Sequence, residues 1–359
     1  MYKIYRLIII VAFAFTSCNH HQSSYSVNKN NSSYDIKSDI EKLNDILKES
    51  EEPSQKFYTS SEKPITVNGK NGIVIRINPS DLTTVTGESI KDSIEIELRE
   101  LVDQSSFFRS NIQTVSNKRL LVSGGAYFIN ITSKEKQLKI KEGKSLKIEI
   151  PRITDNEMSL FYGQRDSLGQ MNWLKANETL KFRPIKKIQI ALVDSISPNT
   201  TELGFVQEDT TLKMTNQEKE ALEKVQKISK EIYYSVDIKS FGWVNCDRFL
   251  NTQTITDLYI TFNPSDSVKT AVIFLIFKDI NSIVENYFFP YNKKITKECF
   301  NSIPVGYRAR LVALTVKNGI TFSYAADITI EDKQTIYLKM NETKDEDIKK
   351  LLFNIDKKQ

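Results

Sequence analysis

Histidine is nearly absent from this chain of 359 residues, and that absence excludes several kinds of catalytic site. The two histidines, His20 and His21, stand side by side near the start of the sequence, and the rest of the chain contains none. That remainder therefore lacks the histidine of a Ser-His-Asp or Cys-His arrangement and of a histidine-based zinc site. We assign no catalytic residue, metal or cofactor from the sequence.

Cysteine is also scarce, with only Cys18, Cys246 and Cys299 in the chain. A zinc site made of four cysteines is therefore excluded. In an oxidising compartment Cys246 and Cys299 could form a disulfide, provided that their Cα atoms lie close together. The alternative is two small buried side chains, and the sequence leaves both interpretations open.

Long apolar runs, basic clusters and phosphate-binding loops are missing as well. A transmembrane helix needs about 20 consecutive apolar residues, and the longest run, 7–15 (LIIIVAFAF), is much shorter. The formal net charge of +5 is spread along the chain. No basic cluster with interleaved aromatic residues predicts a nucleic-acid partner, and neither GxxxxGKS nor GxGxxG occurs.

The first 18 residues have the layout of a secretory signal peptide. Lys3 and Arg6 form a basic head, an apolar run follows, and small residues end it. The last four, Phe15-Thr16-Ser17-Cys18, resemble a bacterial lipobox, although Phe15 stands where Leu is preferred. The resemblance implies that Cys18 is lipidated and becomes the mature N-terminus. The alternative is an ordinary signal peptide that ends near a cysteine.

Hydrophobic periodicity predicts a mainly β protein with two antiparallel β-sandwich-like domains and short terminal helices. Alternation over 93–101 (SIEIELREL) predicts a strand with one buried face, and the apolar run 272–277 predicts a central strand covered on both faces. Gly124-Gly125 reads as a turn. The predicted segments are a signal peptide at 1–18, a flexible tether at 19–34, an amphipathic helix at 35–52, a β-sandwich-like domain at 57–195, a helical connector at 215–232, a second such domain at 233–340 and a C-terminal helix at 343–356.

Several stretches resemble an uncharacterised lipoprotein family of Bacteroidota, with a ZU5-like β domain followed by a second β domain. The resemblance is carried by 72–79 (GIVIRINP), 93–100 (SIEIELRE), 120–128 (LLVSGGAYF), 158–163 (MSLFYG), 166–169 (DSLG), Trp173, 241–249 (FGWVNCDRF) and 303–306 (IPVG). It implies β-sandwich domains and an envelope location, and it transfers no catalytic residue. In such bacteria, surface-exported lipoproteins carry acidic residues after the cysteine. The tether here has none, which favours the outer membrane facing the periplasm.

Aromatic and charged residues form a candidate binding surface, because aromatic and arginine side chains dominate interface hot spots. Its candidate members are Trp243, Asp247, Arg248, Tyr162 and Trp173. The alternative is a core strand with a buried tryptophan and an Asp–Arg pair closing a turn, since alternate large apolar residues are typical of a sandwich core.

Five Asp-Ser/Thr triplets resemble the O-glycosylation acceptor of periplasmic proteins in Bacteroidota. The acceptor residues are Ser93, Ser167, Ser195, Thr210 and Ser267. A glycan on them would act as a surface solubiliser.

The sequence favours a non-enzymatic interaction or scaffold module, held at a membrane by its lipid and contacting an envelope protein. The alternative is a carbohydrate-binding or carbohydrate-cleaving lipoprotein, since paired carboxylates are the one catalytic chemistry that the composition allows. Exposure separates the two hypotheses. A glycan site needs a solvent-facing aromatic shelf or a cleft, whereas a scaffold buries these rings.

Overall fold

The strands follow the apolar–polar alternation of the sequence. A computed structural model describes residues 36–90, 92–152, 154, 156–166, 169–182, 233–288 and 297–353. Within these ranges the chain forms three α-helices and 22 strands, which confirms the mainly β class. The helices are α1 (Ile36–Glu49), α2 (Gln104–Arg109) and α3 (Asp345–Phe353).

The strands are short apart from one long central strand. The earlier ones are β1 (Gln55–Thr59), β2 (Ile65–Asn68), β3 (Val74–Ile77), β4 (Leu82–Thr84), β5 (Ile94–Leu101), β6 (Val115–Ser116), β7 (Arg119–Ser133), β8 (Lys136–Ile140), β9 (Leu146–Pro151), β10 (Ser159–Arg165), β11 (Met171–Lys175) and β12 (Lys181–Phe182). The later ones are β13 (Tyr233–Ile238), β14 (Gly242–Phe249), β15 (Ile255–Phe262), β16 (Ala271–Phe277), β17 (Ile283–Phe288), β18 (Lys297–Pro304), β19 (Arg308–Lys317), β20 (Ile320–Thr329), β21 (Thr335–Leu338) and β22 (Asn341–Glu342).

These strands build four sheets. Sheet A has the order β1-β5-β7-β14-β10-β11, with β4, β6 and β8 attached through β7 and β8, and sheet B has the order β12-β13-β9-β3-β2. Sheet C is β18-β15-β21 and sheet D is β17-β16-β19-β20-β22. The described ladders are antiparallel, except that β15 and β21 pair in parallel.

Three apolar cores hold the sheets together. The first lies between sheets A and B, with Ile96 and Ile148 both completely buried. The second lies between sheets C and D, with Leu258 and Leu311 as completely buried members. The third joins sheet A to sheet D and includes side chains of all three helices. The sheets therefore follow the order B, A, D, C.

Strand β16 passes between two of these cores, as its unbroken apolar sequence predicts. All seven of its residues are buried. Phe274 contributes to the core between sheets A and D, whereas Ile273 and Leu275 contribute to the core between C and D. In addition, β16 pairs with a strand on each side. The predicted central strand, covered on both faces, is confirmed.

Helix α1 docks far along the chain, on β19 of sheet D. Leu43 and Leu47 of its apolar stripe are buried in the core that joins sheets A and D. The carboxylate of Asp39 accepts a hydrogen bond from the backbone N–H of Gly319 at 2.9 Å. The ammonium group of Lys42 donates to the carbonyl oxygen of the same Gly319 at 2.8 Å. The predicted amphipathic helix thus packs as a built-in part of the fold.

The division predicted at residue 233 does not coincide with the sheets. Strand β13 pairs with β9 in sheet B, and β14 lies between β7 and β10 in sheet A. Both faces of β14 pack against an apolar core. Val244 belongs to the core between sheets A and B, and Trp243 packs against the core between sheets A and D. The two predicted β domains therefore share sheets, and the described residues from Ile36 onward belong to one compact unit.

Gly124-Gly125 lies inside β7, which corrects the prediction of a turn. A Cβ on Gly124 would come within 2.8 Å of the carbonyl oxygen of Cys246, and Gly125 has a φ of +123°. The opposing strand β14 bulges between Asn245 and Asp247. The two glycines therefore allow β7 and β14 to approach each other closely at the bulge.

Candidate functional site

Two of the five predicted binding residues lie in the interior. Trp173 is completely buried, and its indole N–H donates to the carbonyl oxygen of Gln113 at 2.7 Å. Asp247 is completely buried too, and accepts a hydrogen bond from the side-chain amide of Asn245 at 2.6 Å. Burial raises the pKa of Asp247 well above its ordinary range. Neither residue can touch a ligand in solution, which corrects the prediction that they form part of a surface.

Trp243, Tyr162 and Arg248 are half-buried, and the first two contact other parts of the protein. The ring of Trp243 lies 5.3 Å from the ring of Phe128. The hydroxyl of Tyr162 accepts from the backbone N–H of Lys239 at 3.2 Å. Nε of Arg248 is buried, so this side chain does not present a freely exposed guanidinium group. The five predicted residues do not meet as a solvent-facing aromatic shelf.

Cys246 and Cys299 are not joined by a disulfide. Cys246 is buried in the core between sheets A and B, and Cys299 lies on β18 of sheet C. Cys246 lies on β14 of sheet A, and sheet D lies between sheets A and C, so the two thiols face different environments. The buried-thiol alternative holds for Cys246, while Cys299 is partly exposed.

Two of the predicted O-glycosylation acceptors are accessible. Ser93 is exposed immediately before β5, and Ser267 is exposed with a φ of +51° at the end of a short 3-10 turn. The remaining predicted positions lie outside the described residues: Cys18, Ser167, Ser195, Thr210 and the connector at 215–232.

A groove of about 1090 Å³ runs between the β8–β9 turn and the β12–β13 edge of sheet B. We call it the lysine groove, because five lysines line it: Lys141, Lys144, Lys147, Lys181 and Lys239. Val236 and the half-buried Ile140 contribute its apolar surface. The other described lining residues are Glu142, Gly143, Ser145, Glu178, Thr179, Ser235 and Asp237, and the described lining includes no histidine, cysteine or aromatic ring.

Short-range contacts fix part of the lysine groove and leave part of it open. Lys144 pairs with Asp81 at 3.1 Å, and Lys239 lies 3.8 Å from Glu178. By contrast, the ammonium groups of Lys147 and Lys181 are exposed and form no ion pair or hydrogen bond with any other described residue. The sequence signal was the closely spaced lysines of 136–147 (KQLKIKEGKSLK). The other two lysines join them only through strand pairing.

A second polar cluster that the sequence did not predict lies between sheets A and D. Glu285 on β17 is buried, and neither of its carboxyl oxygens accepts a hydrogen bond of normal geometry. Burial raises its pKa to about 7, although Tyr287, Arg165 and Asn111 act in the opposite direction. The alternation of β17 places Glu285 on the same face as the buried Ile283, a signal that the sequence does contain.

No protein family, curated protein or solved structure matches this chain. None of the helices in the described ranges is long and apolar enough to cross a bilayer. The described residues also contain no cluster of three or more histidine, cysteine or acidic side chains that could hold a metal ion. Within the described part of the chain, the geometry of the lysine groove favours a ligand.

Proposed function

We propose that the protein is a lipid-anchored, non-enzymatic interaction or scaffold module of the bacterial cell envelope, held at the outer membrane on its periplasmic side. Cys18 carries the lipid in this proposal, and an envelope protein is the partner. The two β-sandwich-like halves correspond to sheets A with B and C with D. The ZU5-like assignment and the connector at 215–232 belong to the same proposal.

The observation that carries the proposal is the position of α1. This helix follows directly on the segment with the proposed anchor, and its apolar face is buried in the core that joins sheets A and D. Beyond the helix, Glu52 accepts hydrogen bonds from Arg109, at 2.6 Å, and from Lys70. From α1 onward, the chain that follows the proposed anchor and tether is therefore fixed to sheets A, B and D.

The burial of Trp173 and Asp247, two of the predicted binding residues, also favours a scaffold. Trp173 and Asp247 contribute to packing and to internal hydrogen bonds, as expected when such residues do not bind a ligand. Within the lysine groove, the described side chains offer charge and hydrogen bonds, and they include neither a cysteine nucleophile nor a histidine to activate one.

A second candidate function is carbohydrate binding, which the lysine groove favours. Its hydroxyl, ammonium and carboxylate groups can both donate to and accept from sugar hydroxyls. Carbohydrate cleavage stays a prediction with no residue pair assigned to it.

Membrane fractionation of Cys18→Ala tests the anchor. The unchanged protein should stay with membranes at high salt, and the variant should be released. If the variant still fractionates with membranes at high salt, the lipoprotein interpretation loses its basis. Lys63→Gln, an exposed change in the folded part, serves as the matched control.

In-cell crosslinking of the tagged full-length protein tests the scaffold role. A tagged chain containing only residues 1–35 reports what the anchor and tether capture by themselves. One specific envelope protein, crosslinked to the full chain and missing from the short one, is the expected result. Recovery of glycan without a protein partner would overturn the scaffold proposal.

A further inference from the structure

We propose that the lysine groove binds an anionic sugar chain, one that carries carboxylate, phosphate or sulfate groups. This inference rests on the proposed function, since it names a partner class for an interaction module. None of the five residues that the sequence predicted for a binding surface lines the groove, although Tyr162 contacts two of its lining residues, Glu178 and Lys239.

The positive charge of the groove is available for a ligand. Lys147 on β9 and Lys181 on β12 project ammonium groups that no described residue neutralises. Lys147 stands opposite Asp237 in the ladder of β9 and β13, yet the two side chains form no ion pair within 4.0 Å. Five lysines line the groove against the three carboxylates of Glu142, Glu178 and Asp237, and a cleft with an excess of one sign of charge concentrates ligands of the opposite sign. The open charges of this groove therefore favour an anion.

The other lining groups indicate a sugar rather than a simple anion. The carboxylates of Glu142 and Asp237 can accept hydrogen bonds from sugar hydroxyls, and the hydroxyls of Ser145, Thr179 and Ser235 can donate or accept. Since no aromatic ring of the described residues lines the groove, they offer no platform for stacking a neutral sugar ring. Affinity must then come from charge, which selects acidic sugars.

The shape of the groove favours a chain over a bilayer. Its volume of about 1090 Å³ exceeds the roughly 300–1,000 Å³ of most small-ligand sites. Two of its walls are the β8–β9 turn and the segment around Glu178 and Thr179. A flat membrane surface would contact the rims of such a depression, whereas a flexible polymer can enter it.

Binding of defined polymers to the purified protein tests the inference. Dextran sulfate and polygalacturonate serve as anionic probes, neutral dextran as the uncharged one, and vesicles containing phosphatidylglycerol as the lipid probe. The double variant Lys147→Gln/Lys181→Gln should bind the anionic polymers about tenfold more weakly, because each lost ammonium group removes a direct contact. Lys63→Gln/Lys339→Gln removes the same charge from exposed positions outside the groove, and it should change affinity less than about twofold.

Three results would overturn the inference. One is equal weakening in both double variants, which would mean attraction by net charge alone. Another is tight binding of vesicles, lost in the groove variant, with no polymer binding, which would assign the groove to a lipid headgroup. The third is the absence of binding to any anionic probe. If the groove variant still crosslinks its envelope protein in cells, the scaffold proposal stands, whatever the outcome of the polymer-binding measurements.

Discussion

Trp173 donates its indole hydrogen bond to the carbonyl oxygen of Gln113 at 2.7 Å. The side-chain amide of Gln113 donates in turn to the carbonyl oxygen of Met171 at 2.8 Å, and its amide oxygen accepts from the backbone N–H of Glu285 at 3.2 Å. Met171 and Trp173 belong to β11 of sheet A, and Glu285 to β17 of sheet D. This network therefore joins the two sheets through one buried glutamine.

Trp173→Phe should destabilise the protein by about 2–4 kcal/mol, because it leaves the buried carbonyl of Gln113 without its donor and creates a small cavity. Urea unfolding measures the loss. Trp243→Phe is the matched control. Because Trp243 is only half-buried, this variant should lose distinctly less free energy of unfolding. Equal losses in the two variants would contradict the structural role given to Trp173.

Gly163→Ala should cost about 1–3 kcal/mol, since overpacking forces neighbouring side chains to shift. A Cβ at Gly163 would come within 2.8 Å of Met171 Sδ, of Trp173 Cζ3 and of Trp243 Cβ. Thermal unfolding reports the effect, and Gln164→Ala on the same strand should leave the melting temperature nearly unchanged because Gln164 is exposed. A fully stable Gly163→Ala protein would show that the two tryptophans do not pack over this glycine.

Local sequence patterns predict the elements that bury the same face, or both faces, along their whole length. Alternation placed a strand at 93–101, where β5 runs from Ile94 to Leu101, and the apolar run at 272–277 became β16. Helix α1 was predicted at 35–52 and spans Ile36–Glu49. In each case one face or both faces are buried along the whole element, so the period of the side chains decides the structure.

What the sequence did not predict depends on packing between distant parts of the chain. Helix α2 has only six residues, too few for a periodic pattern, and is fixed by Asp103, whose carboxylate accepts from the backbone N–H of Ser106 at 2.7 Å. The stretch that forms β14 predicts either a binding surface or a core strand, and nothing local shows that it inserts between β7 and β10. The lysine groove likewise requires β12 and β13 to bring Lys181 and Lys239 beside the β8–β9 turn.

Glu285→Gln should stabilise the protein more at pH 8 than at pH 4, by a difference of about 1–3 kcal/mol. Burial raises the pKa of Glu285 from 4.5 to about 7. Between these values the folded state keeps a proton that the unfolded state has lost, so the stability of the unchanged protein falls as the pH rises through that window. Glutamine does not titrate, so the variant lacks this contribution.

Unfolding of both proteins across this pH range measures the difference for Glu285. The comparison cancels titration elsewhere, including that of Asp247, whose pKa burial also raises. Asp327→Asn, a change at a largely exposed carboxylate, is the control and should not give the same trend. Parallel stability profiles for Glu285→Gln and the unchanged protein would contradict the prediction.

Maleimide should label Cys299 in the native protein and Cys246 only after unfolding. Burial raises the pKa of the Cys246 thiol and keeps it from reagents, whereas Cys299 is partly exposed. Mass spectrometry of a chain with Cys18→Ala counts the adducts, and Cys299→Ser should remove the native label. Labelling that requires a reductant would show instead that the two thiols pair.

The docking of α1 on β19 sets the order in which this chain can complete its fold. The hydrogen bond between Asp39 and Gly319 closes a separation of 280 positions, and contacts between distant segments form late because loop closure costs entropy. During synthesis, α1 leaves the ribosome before the strand that covers it. Its apolar stripe therefore stays uncovered until β19 has been made. Truncated chains that end before β19 should aggregate or be degraded.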